Sequence, residues 1–284
     1  MRFASFTTPD GSDTWGAAVD GALYDLGPSG ANLADSLKDA IAEGLLDHER
    51  ISLQTLPAIP EREVAFLPVI PDPAKILCIG VNYKTHREET GRAEVSAPTV
   101  FTRFADTLIG HDQPTIRPAT TEQFDFEGEL AIIIGSPAHK VSESDAWGHI
   151  AGIAAFNDFS VRDWQRATTQ WTPGKNFPAT GAFGPYFVPV ADVDDFDGLR
   201  LETRVNGETR QSALLGDLIF TVPQLVAHVT GFTALRPGDV IVTGTPGGVG
   251  LFSDPPRMLI DGDVVEVEIG ELGVLRNVVQ QERD

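Results

Sequence analysis

The segment Glu127-Gly-Glu-Leu-Ala-Ile-Ile-Ile-Gly135 carries apolar residues at consecutive positions, the pattern of a strand buried on both faces. Side chains alternate along a strand. Glu127, Glu129, Ala131 and Ile133 therefore share one face, and Leu130, Ile132 and Ile134 the other. Two glutamates thus sit side by side on an apolar face, where they lose hydration and repel each other. Such a pair requires steeply raised pKa values or a positive group between the carboxylates. A divalent cation on carboxylate oxygens is the most economical answer. Glu266-Val-Glu268 provides an internal control. In Val264-Val-Glu-Val-Glu-Ile269 the residues Val265, Val267 and Ile269 take one face and both glutamates the other, which is an ordinary half-solvated strand.

The same patterning organises the rest of the chain. Arg2–Phe6 and Thr14–Val19 flank a Pro-Asp-Gly turn and read as a hairpin, and Asp20-Gly21 marks a second tight turn. Apolar residues at helical spacing predict a helix over Leu33–Ala42, ended by Glu43-Gly44. Prolines 57, 60, 68, 71 and 73 then mark a linker, so residues 1–70 are expected to form a small N-terminal α+β module with its linker, and residues 71–284 the catalytic domain. Short strands dominate the second part: Ile76–Ile79, Pro98–Thr102, the Glu129 run, Ile150–Phe156, Leu201–Val205, Asp239–Thr243 and Asp263–Ile269. Helices are expected at Tyr83–Thr90, Glu143–Trp147, Ser160–Ala167 and Val222–Gly231. This mixture predicts an α+β, β-rich fold with mixed sheets, not a doubly wound sheet.

Composition narrows the function classes. The 284 residues carry a formal net charge of -20, which argues against a nucleic-acid partner or an anionic membrane surface. An acidic substrate would need positive charge concentrated locally. The single cysteine, Cys78, sits in a predicted strand and reads as a buried small hydrophobe in a reducing compartment. No apolar run reaches membrane-spanning length, and the first residues lack the apolar core of a signal peptide, so a cytoplasmic protein is expected.

Further candidate chemistry lies nearby. Asp158 follows the strand ending at Phe156-Asn157; it reads either as a helix N-terminal acid or as a third carboxylate suited to Mg²⁺, Mn²⁺ or Ca²⁺. His86 and Glu89 have the i, i+3 spacing that puts them on one helical face. Spacing alone favours a surface His–Glu pair; the glycines that bound the segment, which would let it move as a lid, favour instead an imidazole oriented by the glutamate as a general base. Lys175, one of five lysines, follows Pro-Gly and is a candidate partner for an anion or enolate. Arg162 and Gln165 share the helix expected after Asp158. The glycine-rich Thr243–Gly250 loop matches neither a phosphate-binding loop nor a dinucleotide site. Its N–H groups suit an anion-holding nest with the Thr245 hydroxyl beside them. No Gly-x-Ser-x-Gly elbow is present.

These segments together resemble the fumarylacetoacetate hydrolase superfamily. The resemblance rests on Ile79–Tyr83 with His86 and Glu89, Asp125–Ala131, Asn157–Gln165, Pro173–Phe177, Val205–Gly207 and Pro237–Gly250, and covers roughly residues 75 to 279. It implies a β-rich, usually dimeric fold with Mg²⁺ or Mn²⁺ on Glu127, Glu129 and Asp158, with Ca²⁺ as a crystal substitute. It implies a water-activating His86–Glu89 pair on a lid, Lys175 and Gln165 on the substrate's oxygens, Thr245 on its carboxylate, and Arg103 and Arg162 toward the substrate. The implied reaction is C–C hydrolysis of acylpyruvate-like 2,4-dioxo acids through a metal-bound enolate. The alternatives are decarboxylation of oxaloacetate-like keto-diacids and isomerisation of hydroxymuconate-type diacids. The chain departs from the usual pattern at Arg103, where Lys is frequent, at Phe126, at Asn176–Pro178 and at Ala182–Pro185. Substrate selection is therefore expected around Arg103, Lys175 and the Phe177–Pro185 loop.

Overall fold

The computed structural model describes residues 1–47 and 51–283. Twelve strands form one large sheet and five a second sheet packed against it. Along its main path the large sheet runs from the N-terminal strands Ala22–Asp25, Asp13–Val19 and Arg2–Thr7 to Gly181–Pro189. It continues through Ile150–Asp158, Gly128–Ile134, Val240–Val242, Ile76–Gly80 and Thr99–Arg103. Most neighbours are antiparallel, but Val240–Val242 runs parallel to Ile76–Gly80, so the sheet is mixed. The expected α+β class is the observed one. Phe3 pairs with Phe187, which joins the N-terminal strands directly to the large sheet, and the 70/71 boundary falls between Ala65–Phe66 and Ile76–Gly80.

Gly128–Ile134 lies inside the sheet, buried at every position. Leu130, Ile132 and Ile134 face a core shared with Leu201, Val265, Val267 and Leu275 of the second sheet, while Ala131 and Ile133 face a core shared with Phe156 and Val242. The alternation predicts this division. The control strand behaves as expected too. Val265, Val267 and Ile269 are buried, and Arg204 crosses the outer face to bond Glu268 at 2.6 Å and Glu266 at 3.2 Å.

Helices fill the margins. Val222–Phe232 opens on a capping box between Thr221 and Gln224 and buries Leu225, Val226 and Val229 between the sheets. The N-terminal helix spans Leu37–Glu43, four residues later than its periodicity suggests, because the Ser36 hydroxyl accepts the Asp39 N–H and fixes the start there; Gly44 ends it in the left-handed conformation. Glu143–His149 is a 3-10 helix, and the helix after Asp158 is shortened to Arg162–Arg166 because Ser160–Val161 pairs with Phe124–Asp125. Among the described residues no helix is long and apolar enough to cross a membrane.

Candidate metal centre

The antiparallel register of Gly128–Ile134 and Ile150–Asp158 sets Glu129 opposite Phe156 and Gly128 opposite Asn157. Continuing one step places Asp158 beside Glu127 on the same face, and the Asp158 N–H donates to the Glu127 carbonyl at 2.9 Å. Asp158 therefore ends a strand and caps no helix. One oxygen from each of Glu127, Glu129 and Asp158 lies within 4.8 Å of the others, and all three residues are buried. Three enclosed carboxylates form a hard-oxygen donor set without Cys or His, which fits Mg²⁺, Mn²⁺ or Ca²⁺ and not structural zinc.

The positive groups around this triad are unevenly shared. Lys175 Nζ donates to Glu127 Oε2 and to Asp158 Oδ2, each at 2.6 Å. Arg162 Nη1 donates to Glu127, and Arg103 Nε to Asp158. Among the described residues, Glu129 receives only the Gly244 N–H, at 2.5 Å. Burial alone would raise both glutamate carboxyls. For Glu127 the Lys175 and Arg162 charges outweigh burial and hold it at about 2. For Glu129 burial, Asp158 and Glu127 act together and push it well above the carboxylate range. The site thus holds one carboxylate whose charge the protein itself does not neutralise, which is what a cation-binding triad requires.

A cavity of about 640 Å³ opens onto this centre, lined among others by His86, Glu127, Glu129, Gln165, Lys175 and Thr245. The helix Lys84–Thr90 carries His86 and Glu89 on one face, with Nδ1 and Glu89 Oε1 2.6 Å apart. The carboxylate accepts the Nδ1 proton, which leaves Nε2 as the basic nitrogen. Lys175 is not an exposed loop residue: it ends the short helix Thr172–Lys175 and is fully enclosed, its charge favoured because Asp158 and Glu127 outweigh the burial that would otherwise lower its pKa. Arg162 also lines the cavity; its Nη2, buried, has no hydrogen-bond partner among the described residues. Gln165 Oε1 accepts from Arg162 Nη1 at 3.0 Å, which leaves its amide N–H groups for a ligand.

The glycine-rich loop is an anion-holding nest whose anions are the protein's own. Gly244 N–H binds Glu129 and Gly248 N–H binds Glu89 Oε2 at 2.8 Å; the Gly250 and Leu251 N–H groups bind the two oxygens of Asp125 at 2.8 and 3.0 Å. Gly244 adopts φ +101°, and a Cβ there would lie 2.8 Å from the Asn82 Cβ, so glycine is required. Through this loop Glu129 of the acidic triad, Glu89 of the Lys84–Thr90 helix and Asp125, the partner of Arg162, are fixed together.

Three expectations change. Arg103 does not line the cavity. It is fully buried, with Nε on Asp158, Nη2 on the Phe159 carbonyl at 2.6 Å and Nη1 on Thr180 at 3.1 Å, so it anchors Asp158 and does not touch substrate. The Thr245 hydroxyl donates to the Gly128 carbonyl at 2.9 Å, so its single proton is committed and any hold on a substrate carboxylate falls to its backbone N–H. The Phe177–Pro185 segment is not a specificity loop: from Gly181 onward it is a strand inside the large sheet, with Ala182 and Phe183 in the cores, and the cavity walls come instead from Phe101, Trp171 and Phe252. Sequence reasoning gives Asp125 no role, yet its carboxylate accepts from Arg162 Nε at 2.8 Å as well as from the loop. The one signal is its place two residues before Glu127. Gln211, on a strand distant in sequence, carries no signal at all.

The pattern defining the fumarylacetoacetate (FAA) hydrolase C-terminal family matches residues 75–280. The chain belongs to the fumarylacetoacetate hydrolase family. It is 38% identical over 264 residues to a mitochondrial oxaloacetate tautomerase of Bos taurus, covering 91% of this chain and 84% of that protein. It superposes on the fumarylacetoacetate hydrolase of psychrophilic Exiguobacterium antarcticum with a TM-score of 0.89 at 35% identity, over 99% of this chain and 100% of the other. A maleylpyruvate hydrolase from Sphingobium, solved with manganese(II) and pyruvate, aligns over the whole of both chains with a TM-score of 0.82 at 26% identity. Members of this family thus include a tautomerase and hydrolases, and this member carries an enclosed acidic triad of which Glu127 and Glu129 line its cavity.

Proposed function

We propose that this family member is a Mg²⁺- or Mn²⁺-dependent enzyme that moves a proton next to the oxo group of an oxaloacetate-like keto-diacid, interconverting keto and enol forms. The observation that carries this reading is that one cavity is lined both by Glu127 and Glu129 of the acidic triad and by His86, whose ring Glu89 holds from behind. The oxaloacetate tautomerase relative supports the substrate, and the manganese–pyruvate complex of the Sphingobium enzyme supports the cation class.

A divalent cation on the three carboxylates supplies the Lewis acidity that makes the neighbouring C–H acidic. Lys175 and the Gln165 amide donate hydrogen bonds to the acid's oxygens and favour negative charge there. Arg162 Nη2 and the Thr245 N–H orient a carboxylate. His86 Nε2 takes the carbon-bound proton and returns it at oxygen, with Glu89 holding the tautomer and stabilising the imidazolium between the two transfers. Burial of the Lys175–Glu127 contact strengthens each of these interactions.

C–C hydrolysis of acylpyruvates is the second reading. The His86–Glu89 pair favours it, since the same base is placed to activate water. One assay set separates the readings. The protein is given Mg²⁺ or Mn²⁺, and three signals are followed: enol absorbance of oxaloacetate, pyruvate release from oxaloacetate, and cleavage of an acylpyruvate. Fast loss of enol without pyruvate supports tautomerisation. Pyruvate from oxaloacetate points to decarboxylation, and cleavage of the dioxo acid to hydrolysis. No acceleration of any of the three overturns the proposal.

A further inference from the structure

We propose that Gln211, a residue of the second sheet, is a positioning residue that sets the carboxylates of the cation centre and the Thr245 strap together; the inference rests on the metal-dependent reading above.

Gln211 lies in the Glu208–Leu214 strand and is buried. Its Oε1 accepts the Gly128 N–H at 3.0 Å, and its Nε2 donates to Thr245 Oγ1 at 2.7 Å and to the Pro246 carbonyl at 2.8 Å. Both amide protons are committed. Thr245 Oγ1 in turn donates to the Gly128 carbonyl at 2.9 Å. The result is a closed ring of Gln211, Gly128 and Thr245, in which both backbone polar groups of Gly128 are held by side chains.

The reason lies in how the large sheet splits. Along Gly128–Ile134, the strand Val240–Val242 pairs with Ala131–Ile133 and no further toward Gly128, and the last backbone contact of that edge is the Thr243 N–H on the Leu130 carbonyl. Gly244 then turns away and gives its N–H to Glu129. Gly128 is left beside a departed strand, and a buried peptide without partners is costly. Gln211 fills the gap from the other sheet. It reaches because Gly128 has no side chain: a Cβ there would meet Thr203 Oγ1 at 2.0 Å. The glycine between the two glutamates is the point where the second sheet touches the centre.

Gly128 is the peptide that joins Glu127 to Glu129, so its placement sets the spacing and aim of both carboxylates. The same amide orients Thr245, whose N–H no described residue engages and which faces the cavity that would hold the substrate's carboxylate. A buried glutamine that merely satisfied backbone groups would affect stability alone. A positioning residue affects cation affinity and substrate affinity as well.

The experiment compares Gln211→Met, which keeps length and burial but makes no hydrogen bond, with Thr245→Val, which opens the ring from its other side: it leaves the Gln211 bonds to the Gly128 N–H and the Pro246 carbonyl in place and removes the acceptor of one amide proton. Mn²⁺ affinity is measured by calorimetry on metal-free protein, KM and kcat for oxaloacetate at saturating Mn²⁺, and melting temperature alongside. The expected result for each variant is a Mn²⁺ affinity weakened by about ten- to a hundred-fold, a raised KM, and recovery of both in Thr245→Ser. The double variant is expected to be no worse than the poorer single one, because the two residues act as one unit. If Gln211→Met does not fold, Thr245→Val decides, since Thr245 touches no carboxylate of the triad. A lower melting temperature with unchanged Mn²⁺ affinity and KM overturns the inference. A wild-type protein without Mn²⁺ affinity overturns the functional reading, and this one with it.

Discussion

Lys175 donates to Asp158 at 2.6 Å with both side chains sealed from solvent, and the same ammonium reaches Glu127 at 2.6 Å. One enclosed cation therefore neutralises two of the three carboxylates of the centre. Replacing it with methionine leaves two buried anions without their shared partner. Lys175→Met is expected to lose about 3–5 kcal/mol of stability when metal-free, to recover part of it with Mn²⁺, and to be slowed by roughly 10²–10³-fold even at saturating metal. Chemical denaturation with and without Mn²⁺, and single-turnover kinetics, check both halves.

Glu127 and Glu129 are expected to respond with opposite signs in metal-free protein. Burial works against the Glu127 charge, but Lys175 and Arg162 hold its pKa at about 2, so it contributes stability above the unfolded carboxyl value that is lost as pH falls toward 2. Glu129 is raised by burial and by Asp158 and Glu127, so its contribution is full below the unfolded value of about 4.3 and is lost as pH rises through the raised one. Glu127→Gln should therefore melt lower than wild type at neutral pH and Glu129→Gln higher, with the Glu129→Gln advantage growing as pH rises above the unfolded carboxyl value. Both should lose Mn²⁺ binding. A metal-free Glu129→Gln that melts below wild type at neutral pH contradicts the charge distribution described for the centre.

The control pair gives the contrasting outcome. Glu266 and Glu268 lie on a half-exposed face against Arg204, where an ion pair is worth roughly 0–1 kcal/mol. Glu266→Gln and Glu268→Gln are expected to leave Mn²⁺ affinity and turnover at wild-type values. The same isosteric change thus has opposite consequences in the two Glu-x-Glu motifs, as calorimetry on the four variants would report.

Glu89 accepts from His86 through one oxygen and from Gly248 through the other. In Glu89→Gln the amide either donates to Nδ1 and fixes the wrong imidazole tautomer, or keeps Nδ1–H and loses the Gly248 bond. Turnover is expected to fall by about 10²–10⁴-fold with Mn²⁺ affinity retained, since neither residue belongs to the triad. A variant that loses Mn²⁺ affinity in step with turnover would place Glu89 in the cation site instead.

Asp125 is enclosed and accepts the Gly250, Leu251 and Phe126 N–H groups as well as Arg162 Nε. Asp125→Asn leaves the buried guanidinium with one anion fewer and sets an amide N–H against those donors. A loss of about 3–5 kcal/mol is expected, with faster amide hydrogen exchange in the 244–251 loop as its local signature.

The glutamate pair of the candidate triad is legible because alternation in a buried strand is a local rule: Glu127 and Glu129 have to share a face, and that face is apolar; the place of Asp158 beside them is set by strand pairing. The His86–Glu89 pair was legible through helical spacing, and the control pair through the same alternation. Arg103 was misplaced because nothing local shows that its strand, Thr99–Arg103, brings the guanidinium behind Asp158 instead of into the cavity. Phe177–Pro185 looked like a loop because Gly and Pro punctuate it, yet its pairing with Ile150–Asp158 carries it through the sheet.

The sequence by itself determined which side chains alternate, which segments turn and which carboxylates must share an apolar face, since those follow from backbone geometry within a few residues. Only the tertiary structure decided who neutralises whom. Lys175 rather than water stands beside Glu127 and Asp158, the glycine loop binds the protein's own carboxylates, and Gln211 crosses from the second sheet to hold the peptide between the two glutamates. These contacts join residues 17 to 159 positions apart, and electrostatic and hydrogen-bond energies depend on that distance in space, which no local pattern in the chain encodes.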